Sequence, residues 1–451
     1  MRKGYFQGIR KLMMVGLFTI LSLVIYGQKR LYFSGDSAKF STELNSIFGK
    51  LADNEQKIIA PSLKEFYGKW NEEKFNSVQK KIIYLIINEM ARKKIRPYPD
   101  FFNYINALNI YINTYQPESR FAPWSDILIK LLADKNNRKF YAFLESTSHL
   151  FAENLIYKSP TTKWRIKTPA YQFSFDTVPR IDFPKSDLAC YANDDSLNVY
   201  ETSGSYYPLT TRWKGNEGKV NWKRAGEDPN KIFASLSQYE IQMQFSKFTA
   251  DSVSFTHKKY FPSPITGRYV DKVLADVTEE KASYPRFFSY DKTIAIPRLF
   301  SNIDYLGGFS IEGSRIIGSG GLTTHARLYF KKDGRDFIVA SSQTFIIRPD
   351  RINSGMASVT IYHDNDSIFH PGLQMKYLDN KTATNANKEL SFTKDERMTI
   401  TSPWFDSFHK IEIYCEALYW NVGEPRISFE MMKGPSKESK AVFESSSYYS
   451  H

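Results

Sequence analysis

The chain has 451 residues, is 42% hydrophobic, 24% charged and 16% aromatic, and carries a formal net charge of +13. That apolar content excludes a mostly disordered chain, and two cysteines exclude a disulfide scaffold or a Cys-based metal module. The excess of 61 Lys and Arg over 48 Asp and Glu raises the question of nucleic-acid binding.

Residues 1–28 carry Arg2, Lys3, Arg10 and Lys11 and no acid, with an apolar run from Leu12 to Tyr26 and Gly27 behind it. The run is shorter than the roughly 20 residues a spanning helix needs. A basic start, a short apolar core and a small residue predict a cleaved signal peptide, with an uncleaved N-terminal anchor as the alternative because Ile25 is a poor residue for the cleavage site. The expected destination is outside the cytoplasm. Without the four signal charges the balance is 57 basic against 48 acidic residues, a net of +9. No later run approaches the length of a membrane span, so no transmembrane helix is expected in the mature chain.

Residues 37–158 read as an all-α bundle or helical repeat. In Phe75–Lys94, the spacing of Phe75, Val78, Ile82, Leu85, Ile86 and Met90 predicts one apolar stripe. Pro97 and Pro99 stop that helix. Further helices follow Asp100, begin near Pro123–Trp124, and run from Arg138 to Tyr157. Ser41–Trp70 is expected to supply two more, broken at Pro61.

The pattern changes at Ser159–Pro160. Residues 164–432 alternate in short β-branched and aromatic runs separated by Gly, Pro, Asn and Asp, which predicts a long all-β region. So many strands favour a β-solenoid or stacked sheets over one sandwich. Asp-Ser-apolar triplets recur at Asp195, Asp251, Asp366 and Asp406 and read as strand-opening turns. Residues 433–451 read as a flexible tail. A solenoid ending there without a cap would expose sheet edges, so the chain is expected to be a shortened form of a longer protein.

The candidates for chemistry are few. His363-Asp364-Asn365-Asp366 with His370 is the best ligand-like run, but Phe369 stands where a Ca²⁺ loop needs Gly, and the two histidines fall on opposite strand faces. The run reads as a turn. The glycine segment Gly307–Gly321 has Ser319 where a phosphate loop needs Lys, and reads as tight corners between strands. No nucleophile elbow and no cofactor motif is found. Cys190 and Cys415 either pair or are buried as small apolar residues. Trp213, Trp222, Trp404 and Trp420 are candidates for stacking on a sugar, with core packing as the alternative. No finger, RNP-type strand or recognition helix accompanies the dispersed basic residues, so nucleic acid is not an expected partner.

The block from Trp213 to Trp420, including GKVNWKRAGEDPNKIFASLSQYEIQM, IDYLGGFSIEGSRIIGSGG and SPWFDSFHKIEIYCEALYW, resembles the N-terminal half of large uncharacterised exported envelope proteins of Bacteroidetes-type Gram-negative bacteria. The Asp-Ser-apolar turns also look like the periplasmic strand repeats of lipopolysaccharide-transport (OstA-like) proteins. The resemblance implies helices ahead of a β-rich region and a place in the periplasm, at the outer membrane or at the cell surface, but supplies no catalytic residue. The expectation is a non-enzymatic envelope scaffold or interaction protein, with envelope polysaccharide, lipid or another envelope protein as partner. The alternatives are a polysaccharide hydrolase with a solenoid groove and lipid or glycolipid handling on an open sheet.

Overall fold

The computed structural model describes residues 32–192, 194–275, 278–382, 385–394, 402–431 and 441–445. The expected signal segment and most of the expected tail lie outside the described residues. The chain forms two units, one of Met1–Leu155 with Gln172–Ile181, the other of Ile156–Tyr171 with Asp182–His451.

Among the described residues six α-helices build the first unit: α1 (Phe40–Phe48), α2 (Asp53–Asn71), α3 (Ser77–Arg92), α4 (Phe102–Asn113), α5 (Phe121–Ala133) and α6 (Arg138–Glu153). Asn76 and Gln79 close a capping box at the start of α3, each side chain accepting from the other's backbone N–H at 2.9 Å. The buried stripe of α3 is Ile83, Ile86, Ile87 and Met90, while Val78 and Leu85 are exposed. The expected stripe is thus rotated, because the run Ile82–Ile87 is apolar on almost every face and its period leaves the phase open. Pro61 does not break α2. Ile59, Leu63, Phe66 and Trp70 are buried on both sides of it, and that packing outweighs one missing backbone bond. A polar seam ties α2 to α4, where Asn109 Nδ2 donates to the Ser62 carbonyl at 2.8 Å and Asn113 Nδ2 to Glu65 Oε1 at 2.7 Å. Helix α6 ends at Asn154, which adopts the left-handed conformation, so Tyr157 belongs to the first strand rather than to the helix.

The described residues form 24 strands of one antiparallel sheet. The first nine are β1 (Leu155–Lys158), β2 (Lys163–Ile166), β3 (Gln172–Phe175), β4 (Pro179–Ala192), β5 (Asp195–Tyr207), β6 (Arg212–Asn221), β7 (Ile232–Gln242), β8 (Lys247–His257) and β9 (Ile265–Lys272). Next come β10 (Arg286–Ser289), β11 (Ile294–Phe300), β12 (Ile303–Glu312), β13 (Arg315–Ser319), β14 (Ala326–Lys332), β15 (Arg335–Ser342), β16 (Thr344–Arg348) and β17 (Arg351–His363). The last are β18 (Asp366–Thr382), β19 (Asn385–Thr393), β20 (Trp404–Asp406), β21 (Ile411–Tyr414), β22 (Ala417–Asn421), β23 (Ile427–Glu430) and β24 (Val442–Ser445).

From β5 to β9 each strand pairs with the next as a meander, and β10 carries the ladder on to β12. There the sheet forks. One branch runs from β12 through β13 to β16, the other through β14 to β15, and both rejoin on β17. Beyond the β17–β18 hairpin it forks again, into β20–β21–β24 and β19–β22–β23. The β-solenoid expectation finds no support in these pairings: a solenoid stacks like rungs through parallel ladders, whereas these ladders are antiparallel and mostly join sequence neighbours. Part of the expected tail is a strand, β24, paired with β21.

Candidate functional site

All four tryptophans named as sugar-stacking candidates are core residues, at most 1% exposed. Trp213 donates to the Tyr239 hydroxyl at 3.3 Å, Trp222 to the Pro285 carbonyl at 3.0 Å and Trp420 to the Glu424 carbonyl at 3.0 Å, while Trp404 packs against His370 and Phe429. Each stands at an inward position of its strand or at a turn folded inward, so none offers a ring face to a ligand. Glycines make the room: a Cβ on Gly204 would lie 2.7 Å from the Trp213 ring, and one on Gly215 2.1 Å from the Tyr239 ring.

The glycine segment is the β12–β13 hairpin. Gly313 turns with φ +58°, and the Tyr305 ring covers Gly307 and Gly318. His363 and His370 separate as expected, one exposed at the end of β17 and the other buried in β18. His370 is wired into the backbone, with Nε2 donating to the Ser402 carbonyl at 3.0 Å and Nδ1 accepting from Gly372 N at 3.1 Å. Burial pushes this imidazole down to about 4. His257 is buried too, its Nδ1 without a partner among Tyr260, Phe261 and Phe309, and burial also takes it to about 4. Among the described residues no three His, Cys, Asp or Glu side chains gather as a metal site. Cys190 and Cys415 are separate, free and buried. Burial, then nearby Asp271, pushes the Cys190 thiol up to about 12.

Three features stand out beyond these. The first is an ionic cluster in the β unit. Arg224 reaches Asp271 Oδ1 at 3.3 Å and Asp195 Oδ2 at 3.6 Å, and donates to the Ser196 and Lys272 carbonyls. Asp271 is 3% exposed and also accepts from the Tyr269 hydroxyl at 2.8 Å. Burial raises this carboxyl, and Arg224, Tyr269 and the Lys272 amide oppose the rise without cancelling it.

Beside the cluster lies a pocket of about 530 Å³, lined by Pro160, Thr161, Thr162, Lys163, Tyr191, Ala192 and Asp194–Ser196. The register places Lys163 on β2 directly opposite Tyr191 on β4. Nothing in the tryptophan count pointed here. The usable signal was the alternation Cys190-Tyr191-Ala192, which turns Tyr191 outward between two inward residues.

The third feature is an exposed aromatic row. Phe369 on β18 stands opposite Phe405 on β20, Tyr362 on β17 is diagonal to Phe369, and Phe408 follows in the next turn. All four are 42–63% exposed. Two of the Asp-Ser triplets hold this end together. Ser407 Oγ donates to Asp366 Oδ1 at 3.0 Å and accepts from Ser367 N at 2.9 Å. Burial pushes the Asp406 carboxyl up, but bonds from the His409 ring and the His409 and Phe408 amides outweigh it and hold it below its ordinary value. The triplets at Asp195 and Asp366 open strands as expected. The one at Asp251 is a bulge inside β8, with Ser252 at φ +55°, and the one at Asp406 closes a strand.

No described helix is long and apolar enough to cross a membrane. Comparison of the chain with protein-family models, curated proteins and solved structures gives no match.

Proposed function

We propose that this is an exported cell-envelope protein whose β region, a forked antiparallel sheet built largely of hairpins, works as a non-enzymatic interaction module for another envelope protein. The row Tyr362–Phe369–Phe405–Phe408 carries this reading. Exposed aromatics contiguous across three strands cost solvation that a purely structural face would avoid, and aromatic side chains are the usual anchors of interfaces. Export rests on the basic and apolar N-terminal segment, and the residual +9 suits an acidic envelope. The hydrolase alternative loses its aromatic groove, since its tryptophans are core.

The test is photo-crosslinking in cells from a reactive residue at position 369, with position 214 as a control, in both the Phe405→Ser background and the unmodified one. A discrete adduct from 369, absent from 214 and lost with Phe405→Ser, supports the reading. Equal adducts from both positions, or fractionation of the protein with the cytoplasm, overturns it.

A further inference from the structure

The pocket beside the ionic cluster belongs to the β unit and is separate from the aromatic row. Its lining has a particular chemical make-up. Tyr191 is 39% exposed, and the Arg165 guanidinium lies 5.9 Å from its ring centroid. That cation–π contact steadies a planar apolar surface at the pocket wall. Around it stand two carboxylates, Asp194 and Asp195, the Lys163 ammonium, and the hydroxyls of Thr161, Thr162 and Ser196.

The polar groups differ in how far the fold has used them. Asp195 is held in place by Arg224 and by the Ser196 amide, which donates to its Oδ1 at 2.7 Å. The side chains of Asp194, Thr161 and Lys163 make no hydrogen bond or ion pair among the described residues, so their bonding capacity remains for a ligand. Asp194 sits at φ +59° in a tight turn, which fixes where its carboxylate begins.

Three ligand classes can be weighed against this lining. Two carboxylates at the wall repel a polyanion. The Lys163 ammonium and the Arg165 guanidinium over Tyr191 balance those two carboxylates, which leaves no net negative charge to hold a polycation. One aromatic ring among charged and hydroxyl side chains suits neither an acyl chain nor a flat hydrophobe. What remains is a neutral molecule with one apolar face and many hydroxyls around its edge. A pyranose has that form. Its C–H face packs on an aromatic ring, and its hydroxyls donate to carboxylates and accept from ammonium and hydroxyl groups. The volume of about 530 Å³ falls within the usual range of small-ligand sites, roughly 300–1,000 Å³.

We propose that this pocket is a binding subsite for an uncharged glycan, with Tyr191 as its stacking platform and Asp194, Asp195, Thr161 and Lys163 as its hydrogen-bonding groups. The site goes beyond the interaction reading above and does not depend on the aromatic row.

The experiment is isothermal titration of the full chain with maltohexaose, cellohexaose, laminarihexaose, mannohexaose and chitohexaose, with inorganic phosphate and spermine as charged competitors. At least one hexasaccharide is expected to bind saturably. Tyr191→Ala should weaken it about tenfold, whereas Tyr191→Phe, which keeps the ring, should stay within about threefold. Asp194→Asn keeps a residue type that tolerates the left-handed turn and should weaken binding severalfold. Circular dichroism of each variant controls for folding. The proposal is overturned if none of the five sugars saturates by about 10 mM, if Tyr191→Ala and Asp194→Asn both leave binding unchanged, or if phosphate or spermine displaces the sugar. Loss of the crosslink at position 369 would leave all these results unaffected, so the two readings fail separately.

Discussion

Arg224→Met tests the buried ionic cluster directly. The substitution keeps most of the apolar stem but removes both ion pairs and the bonds to the Ser196 and Lys272 carbonyls. Asp271 is then left in the interior with only the Tyr269 hydroxyl and its neighbour's amide. Breaking one side of a buried pair costs about 3–5 kcal/mol, and because the Arg224 side chain is 22% exposed we expect the lower end, about 3 kcal/mol. Arg224 also opposes the upward push of burial on the Asp271 carboxyl, so without it that push is less restrained. A carboxyl with a raised folded-state pKa holds its proton more tightly when folded, so stability is greatest below the ordinary carboxylate range and is lost as pH climbs through the folded value. The deficit of Arg224→Met should therefore be larger at pH 7 than at pH 5. Urea unfolding read by tryptophan emission reports it, since Trp164, Trp213, Trp222, Trp404 and Trp420 belong to the β unit. Arg224→Met/Asp271→Asn should recover most of the loss, because an amide in place of the charge can still accept from Tyr269. A single-variant cost under about 1 kcal/mol, or a double variant no better than the single, would refute the cluster's role.

His257 and His370 both fall from an ordinary 6.5 to about 4, so the folded state favours the neutral ring, and their stabilisation is present above about pH 6.5 and lost as pH falls toward 4. His257→Phe removes one such group along with an unpartnered Nδ1, and should leave stability at pH 7 equal or higher while reducing its loss on acid titration, as thermal melts at stepped pH will show. Gly215→Ala drives a Cβ to 2.1 Å from the Tyr239 ring and should cost about 1–3 kcal/mol in urea, whereas Gly355→Ala, with nothing within 4 Å, should be near neutral. Cys190 and Cys415, buried and pushed up to about 12 and about 11, should resist a thiol reagent in the native protein and react with two equivalents once unfolded, with no change in mass on reduction.

The division into helices and strands was legible because the two periods differ so plainly: three- and four-residue spacing through Phe75–Met90, and alternation from Trp164 onward. The phase of α3 was not, since Ile82–Ile87 offers apolar residues to every side and only the neighbouring helices choose among them. Pro61 misled because a local rule about a missing N–H was weighed without the buried residues flanking it. The tryptophans were rightly placed on strands, but whether a ring faces in or out depends on which edge pairs with what, and glycines such as Gly204 and Gly215 reveal that only once their cross-strand partners are known. Tyr191 and the row from Tyr362 to Phe408 were overlooked for the converse reason. Nothing local distinguishes an outward aromatic from an inward one until the register is set.

The helical unit takes in Gln172–Ile181, a stretch that lies in sequence between two pieces of the β unit. There Phe173 packs against Phe143 and Phe151, and the Lys130 ammonium sits over the Phe175 ring. The polypeptide therefore passes between the units three times, and no single cut separates them. A truncation after α6 would strip the helices of this covering strand, and a fragment starting at Asp182 would lack β1 and β2. Phe143 and Phe151 stay uncovered until residues 172–181 are available to pack on the helices. The stretch 156–171 of the β unit precedes them in the chain, so the helical unit cannot be completed before part of the β unit is present.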